Sequence, residues 1–447
     1  MTEPDVSGRI AVVGLGKLGA PIAACYAARG HHVIGVDTNP RTIQLINEGR
    51  APMLEPGLPE LLKDCRGRLA ATHDYSAAIA GSELTLIIVP TPSDPTGGFS
   101  LRYVLAACER IGEALRHKAE YHVVVVVSTV LPGATDGEIK PMLETRSGKR
   151  CGVDFGLCYS PEFIALGSVI SNLQNPDFLL IGESDHSAGN SAVAVLRTIC
   201  KNDAPIARMN IVNAEIAKLA VNTFVTTKIT FANMLARICE RLPDADVDRV
   251  TDALGLDSRI GRKYLRGALG YGGPCFPRDN LALRHVARQL GVQATLAEAT
   301  DAANGEQVPL LLEIVKSRLP VGGTVGILGL AYKPDTDVVE GSQALMFARS
   351  LLDIGVPIIA YDPAAVRSAR RSLPGPVRFA SSVTECCRNA DVIVVMTAWD
   401  EFKRIGPADF DGARRRVVVD CWRILDPGRL AERAEYVALG VGRYHCR

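Results

Sequence analysis

One cysteine stands apart from the others in this chain. Cys275 lies in the stretch GYGGPCFPRD, residues 270–279, after Gly270, Gly272 and Gly273 and between Pro274 and Pro277. Prolines hold such a loop still by fixing φ, and glycines permit close approach by a ligand. Pro277 suits the first turn of a helix running through RDNLALRHVARQL, which puts Cys275 just ahead of a helix N-terminus with Arg278 close by. Both features favour the thiolate, the nucleophilic form of cysteine. A packed core thiol needs neither, so a reactive nucleophile is the better reading. Cys25, Cys108, Cys200 and Cys239 lie in helical or apolar contexts and are read as packing residues.

A second chemistry is written near the start. Gly14, Gly16 and Gly19 form G-x-G-x-x-G between a strand-like run and a helical pattern, and Asp37 closes the next strand-like run. The first glycine allows a tight turn, the second lets a pyrophosphate approach the backbone, and the third lets helix and strand pack closely. A carboxylate at the position of Asp37 accepts from a ribose 2′-hydroxyl and repels a 2′-phosphate, so NAD is expected rather than NADP. Later strand ends point to the same edge, where ligands of open parallel sheets lie. VPTP supplies Thr91, STVLPG supplies Ser128 and Thr129, and SPEF supplies Glu162. Their hydroxyls could touch cofactor or water, although ordinary turn residues would look the same. Glu162 could equally be a helix-start carboxylate. Lys218 and Asn222 share one face of a long helix, where they are either functional or part of a solvated stripe with Glu215.

A dinucleotide site with an activated cysteine suggests a definite sequence of steps. Hydride transfer turns an alcohol into an aldehyde, and thiolate addition gives a thiohemiacetal. A second hydride transfer gives a thioester, which water hydrolyses to an acid. A lysine would stabilise the oxyanion, and Asp279 or Glu162 would serve the water or proton steps.

The elements that position these residues can be traced along the 447 residues, enough for two or three domains. Apolar runs at 10–13 and 33–36, then LTLIIVPTP, HVVVVVSTV and FGLCY, alternate with helical patterns such as 103–115. Strands alternating with helices imply a parallel sheet covered on both faces. From about 205 the pattern changes. The stretch 213–242 has no proline or glycine and predicts one long connecting helix, buried on much of its surface, with Ile216, Leu219, Phe224, Ile229, Leu235 and Ile238 among its apolar positions. After 305 the first pattern returns: TVGILGLAYKPDTD resembles RIAVVGLGKLG, VPIIAYDP again ends its run in an aspartate, Asp362, and DVIVVMTAW resembles LTLIIVPTP. Two α/β domains of related plan are expected on either side of a helical middle.

Composition excludes several classes. Net charge is +1 with no long run of either sign, which argues against nucleic acid or an acidic membrane surface as partner. The twelve cysteines show no CxxC pair and no histidines at metal spacing, so neither a disulfide framework nor a metal site is expected. The start, MTEPDVSGRIAVVG, shows no leader pattern, and VVVVV at 123–127 is far too short to span a bilayer. A cytoplasmic enzyme is the expectation.

The chain resembles the UDP-glucose/GDP-mannose dehydrogenases, most of all the UDP-glucose 6-dehydrogenase branch. The resemblance rests on GLGKLGAPIA, EPGLPELL, VPTP, STVLPG, SPEF, AEIAKLAVNTF, RIGRKYLRGALGYGGPCFPRD, AYKPDTD and AYDP, in the family's order over nearly the whole chain. It implies an α/β fold with two Rossmann-like parallel-sheet domains flanking a central helical dimerisation domain. The boundaries would be 1–205 for NAD, 206–305 for the cysteine loop and dimer interface, and 306–447 for the nucleotide sugar. The implied catalytic residues are Cys275 as nucleophile, Lys218 and Asn222 at the oxyanion, Asp279 and Thr129 ordering water, and Glu162 in water or proton transfer. Gly14, Gly16, Leu18, Gly19, Asp37, Thr91, Thr129 and Arg278 would contact NAD. Glu162, Phe163, Lys218, Asn222, Tyr264, Leu265, Gly272 and Lys333 would contact substrate, and Arg259 would reach the substrate of a partner subunit in a homodimer or higher homo-oligomer. The implied reaction is a four-electron oxidation of a nucleotide hexose to its uronic acid, with UDP-glucose the best single substrate and dTDP-glucose or GDP-mannose as alternatives. A simple hydroxy-acid dehydrogenase without a covalent step, and an NAD-binding redox sensor, are the competing classes. Leu166, Glu340, Pro274, Arg278 and Trp422 depart from the family's usual residues. The cysteine loop lacks the histidine usual in branches acting on N-acetylated sugars.

Overall fold

The structure, a computed structural model, describes residues 8–65, 67–373, 375–410 and 415–442. Residues 1–7, on which part of the leader expectation rests, lie outside the described residues. The chain forms two compact units, Met1–Ala220 and Val221–Arg447.

In the first unit an eight-stranded sheet is built from β1 (Arg9–Val13), β2 (His32–Val36), β3 (Leu69–Thr72), β4 (Leu84–Ile87), β5 (His122–Val126), β6 (Phe155–Tyr159), β7 (Leu179–Glu183) and β8 (Ile206–Asn210). The order is β3-β2-β1-β4-β5-β6-β7-β8, parallel except where β7 runs antiparallel to β6. The near-continuous apolar runs have a simple cause. Side chains alternate between faces, and both faces are covered, so a central strand is apolar at nearly every position, the buried Thr85 and His122 being paired with each other at 2.8 Å. Along β5 and just past it, Val123, Val125 and Val127 enter one core, while Val124 and Val126 enter the other. The helix Gly19–Ala28 packs into the first core, and Arg102–Arg116 into the second.

The second unit holds a parallel six-stranded sheet. Its strands are β9 (Val325–Leu328), β10 (Ile358–Tyr361), β11 (Val377–Phe379), β12 (Val392–Val395), β13 (Arg416–Asp420) and β14 (Ala434–Ala438), in the order β11-β10-β9-β12-β13-β14. This repeats the first six strands of the other sheet, place for place, as the loose sequence repeat suggests. In each sheet the strand order reverses direction beside its first strand, between β1 and β4 and between β9 and β12, which is where doubly wound sheets open a crevice.

The long helix spans Ile211–Cys239. Its burial departs from the sequence expectation. Leu219 is buried, but Ile216, Phe224 and Ile238 are exposed, together with Phe231 and Met234; Phe224 is 63% exposed. Among the described residues, no helix is long and apolar enough to cross a membrane, and no group of side chains could hold a metal ion.

Candidate active site

The glycine turn follows β1 directly. Gly14 has φ 95°, a conformation L side chains rarely adopt, and its N–H donates to the Val36 carbonyl at 2.8 Å. A Cβ on Gly19 would collide with the Gly14 carbonyl oxygen, so the helix that starts at Gly19 can approach the turn only without a side chain there. Gly16 is the opposite case: a Cβ there would meet nothing within 4 Å. Leu18 caps the helix and packs on the core. Asp37, one residue beyond β2, accepts from the Leu15 N–H at 2.7 Å through Oδ2 and from the Asn39 N–H at 2.8 Å through Oδ1. Each oxygen keeps a lone pair, and the residue is only half-buried. An open backbone at Gly16, a helix N-terminus and a carboxylate with spare acceptor capacity fit a dinucleotide. Gly14, Gly16, Gly19 and Asp37 are the residues that would hold it.

The remaining strand-end loops of this unit are held by specific bonds. The Thr91 hydroxyl donates to the Thr129 carbonyl at 2.8 Å, joining the two loops the sequence points to. Ser128 donates to the Val89 carbonyl at 2.7 Å and so ties its loop in place. Glu215 is no part of a solvated stripe. It is 0% exposed and accepts from the Gly133 N–H at 2.6 Å and the Thr135 N–H at 2.9 Å, which fastens the Thr129 loop to the long helix. The stripe expectation fails because spacing along a helix says which residues share a face, not what covers it.

Lys218 is buried as well. Its Nζ donates to the Glu162 carbonyl at 2.6 Å and sits 4.5 Å from the centre of the Phe163 ring. The Glu162 carboxyl follows β6 and has no hydrogen-bond partner among the described residues. Desolvation pushes it up to about 7, with the Lys218 ammonium pulling the other way. A carboxyl titrating near neutrality can both take and give a proton. Glu162 and Phe163 lie half-buried in the surface. Sequence reasoning missed a second buried carboxylate, Glu55, which accepts from the Gly167 N–H at 3.0 Å and the Val169 N–H at 2.7 Å and so ends the Glu162 loop. Its one signal was its place in the EPGLPELL marker.

In the second unit, Cys275 is the N-cap of the helix Phe276–Gln289, and Pro277 lies in its first turn. The thiol is solvent-exposed. The same first turn buries Asp279, 1% exposed, whose Oδ2 accepts from Asn222 Nδ2 at 2.6 Å and whose Oδ1 lies 3.4 Å from Arg278 Nε. The Asp279 N–H donates to the Cys275 carbonyl at 2.8 Å. Asn222, Arg278, Asp279 and the backbone of Cys275 are thus one connected group.

The loop glycines serve a purpose the sequence did not suggest. A Cβ on Gly272 would collide with the Gly341 carbonyl, and one on Gly273 would lie 2.5 Å from the Tyr332 ring. The close approach at these positions is by the chain's own loop after β9, because bare backbone lets two loops seat against each other. Tyr264 is exposed with φ 63°, its ring edge-on to Phe276 at 6.2 Å, and Leu265 beside it is buried. Arg259 stands in solvent, paired with Asp257. Lys333 is half-buried in the loop after β9.

Comparison with known proteins shows the family. Models of the UDP-glucose/GDP-mannose dehydrogenase family match three segments: the NAD binding domain at 8–200, the central domain at 212–306 and the UDP binding domain at 326–427. The UDP-glucose 6-dehydrogenase AglM of Haloferax volcanii is 36% identical over 93% of this chain and 97% of its own length. A GDP-mannose 6-dehydrogenase of Pseudomonas putida is 35% identical over 89% of this chain and 92% of its own. The solved structure of a UDP-glucose dehydrogenase from Pyrobaculum islandicum superposes with a TM-score of 0.89 at 34% identity, covering 99% of both chains. This chain therefore belongs to the UDP-glucose/GDP-mannose dehydrogenase family of NAD-dependent nucleotide-sugar dehydrogenases.

Proposed function

We propose that this protein oxidises UDP-glucose at C6 to UDP-glucuronate, through intermediates held on Cys275. The observation that carries this reading is Cys275 itself: an exposed thiol at a helix N-terminus, one turn from a buried Asp279 hydrogen-bonded to Asn222. NAD, held at Gly14, Gly16, Gly19 and Asp37, would supply the hydride acceptor for each oxidation. The first oxidation removes a hydride and a proton from the C6 alcohol and leaves an aldehyde. The Cys275 thiolate adds to the aldehyde carbon, and the carbonyl oxygen takes a proton, giving a thiohemiacetal. Lys218 and Asn222, one turn apart on one helix, stabilise the oxygen while it is negative. Loss of the second hydride and of that hydroxyl proton gives a thioester. Water then adds to the thioester carbon, the C–S bond breaks, and a carboxylate and the thiol result. Asp279 and Thr129 order that water, and Glu162 takes its proton, a task suited to a carboxyl raised to about 7.

Leu18, Thr91 and Arg278 join the glycine turn in holding NAD. Phe163, Tyr264, Leu265, Gly272 and Lys333 line the sugar nucleotide. UDP-glucose is favoured because AglM and the Pyrobaculum enzyme carry that name, and GDP-mannose is the next candidate after the Pseudomonas relative. Segment 206–305 acts as a functional part distinct from 306–447. The exposed Phe224, Phe231, Met234 and Ile238 support a homodimer joined through the long helix, with Arg259 reaching across it. The reaction belongs in the cytoplasm, where thiols stay reduced.

A panel of sugar nucleotides with NAD, followed by NADH absorbance, tests the reading. The expected result is two NADH per UDP-glucose, with acid formation lost in Cys275→Ala. One NADH per sugar with a released aldehyde overturns it.

A further inference from the structure

The loop that ends in Cys275 is gripped at one residue, Tyr271, by a helix with no sequence motif. The helix Thr295–Gly305 presents Asp301 and Asn304 one turn apart. Asn304 uses both ends of its amide on the Tyr271 backbone: Oδ1 accepts from the Tyr271 N–H at 2.8 Å, and Nδ2 donates to the Tyr271 carbonyl at 3.1 Å. Gln343 Nε2 adds a second donor to that carbonyl at 2.9 Å. Gly270 is what admits these amides, since a Cβ there would lie 2.5 Å from Asn304 Oδ1. Asp301 takes the other end of the same residue, accepting the Tyr271 hydroxyl proton.

The grip continues into the helix that carries Asp279. Asn280, fully buried beside Asp279, donates to the Tyr271 hydroxyl at 3.1 Å and to Asp301 at 2.9 Å. Arg284, one turn further, lies 3.4 Å from Asp301. The Tyr271 ring stands edge-on to Phe276, the residue after Cys275, at 6.4 Å. Burial and the neighbouring Asp301 raise the Tyr271 hydroxyl, so it stays protonated and donates. Both ends of the segment from Tyr271 to Asn280 are therefore fixed to one another, and Cys275 lies between them.

We infer that Asn304 and Tyr271 are positioning residues that set where the Cys275 sulfur stands relative to Asp279 and Asn222. Neither touches the reacting atoms. They act by removing the freedom of a glycine-rich loop, which would otherwise spread the sulfur over many positions. Misplacement of a reacting group by about 1 Å can cost on the order of 100-fold in rate.

The inference rests on Cys275 being the nucleophile, and two readouts separate the two ideas. The first is steady-state oxidation of the accepted sugar nucleotide by the full-length protein. Asn304→Ala is expected to lower kcat about tenfold or more with KM within about threefold, because binding survives while alignment is lost. Tyr271→Phe keeps the backbone clamp and loses only the hydroxyl bonds, and is expected to fall between Asn304→Ala and wild type. The second needs no substrate: the rate of iodoacetamide alkylation at Cys275, followed by peptide mass spectrometry from pH 6 to 9. Its profile is expected to shift in Asn304→Ala, since the thiol no longer holds its place at the helix N-terminus. If Asn304→Ala does not fold, Tyr271→Phe carries both measurements. Wild type that makes one NADH per sugar overturns the nucleophile reading and this inference with it. Wild type that makes two, with kcat and alkylation unchanged within twofold in the folded variants, overturns this inference alone.

Discussion

The two sheets share the order of six parallel strands and differ in what their strand-end carboxylates do. In the C-terminal sheet Asp362, just past β10, is 3% exposed and saturated. Its oxygens accept from the amides of Leu330, Ala331, Ala364 and Ala365 and from Trp399 Nε1. Asp420, at the end of β13, accepts from Trp422 and Leu425 amides and the Tyr436 hydroxyl. In the N-terminal sheet Asp37 holds only two amides and stays half-buried, and the Glu162 carboxyl has no hydrogen-bond partner among the described residues. One sheet uses its carboxylates to close loops; the other leaves acceptor capacity for a ligand. The turns diverge in the same sense. Gly14 leads within a few residues into a helix N-terminus, whereas Gly329, with the same left-handed φ, leads into a long loop before the helix Gln343–Asp353. A repeated fold is thus compatible with unlike sites, because function depends on which polar groups the fold leaves unsatisfied.

The largest expected effect falls on Asp362. Removing it by Asp362→Ala leaves buried amides unpaired and should cost about 3–5 kcal/mol of stability in urea melts. Asp37→Ala should cost far less stability but weaken NAD binding on the order of tenfold by fluorescence titration. Equal destabilisation by the two would break the comparison. Next comes Gly19→Ala, whose Cβ collides with the Gly14 carbonyl; about 1–3 kcal/mol and most NAD affinity should go together. Gly16→Ala, with open space around its Cβ, should melt like wild type and lose NAD affinity alone.

The comparison is sharpened last by the pH dependence from Glu162. Its folded carboxyl sits at about 7, above the ordinary 4.5, so the folded chain holds a proton there that the unfolded chain has lost. The stabilisation is complete below the ordinary value and is lost as pH rises through about 7. Glu162→Gln should remove that slope in melts taken from pH 5 to 8, and should also remove the rise in kcat/KM near pH 7. An unchanged rate profile would take Glu162 out of the proton steps.

Much of this was legible in the sequence. The runs at β1, β2, β4, β5 and β6 were plain, because strands buried on both faces are apolar at nearly every position. The edge strands β3 and β8 were not, since they are only part-buried, and β7 was passed over although FLLIG, 178–182, is an apolar run of similar length. Cys275 was legible because proline and glycine spacing encodes a braced helix start locally. Glu215 was misread, Glu55 was signalled only by its place in EPGLPELL, and Asn304 and Asp301 gave no local sign, because their partners lie far away in the chain.

The sequence by itself determined the alternation of strand and helix, the Gly14 turn and the placing of Cys275 at a helix N-terminus. These follow from backbone preferences and side-chain periodicity, which act between near neighbours. Only the tertiary structure decided that Asp37 keeps room for a ligand while Asp362 does not, that Glu215 is an anchor, and that Gly272 and Gly273 seat one loop on another. Strand-then-aspartate reads the same in both halves of the chain. What separates them is whether distant amides arrive to satisfy the carboxylate, and that is settled only when the chain has folded.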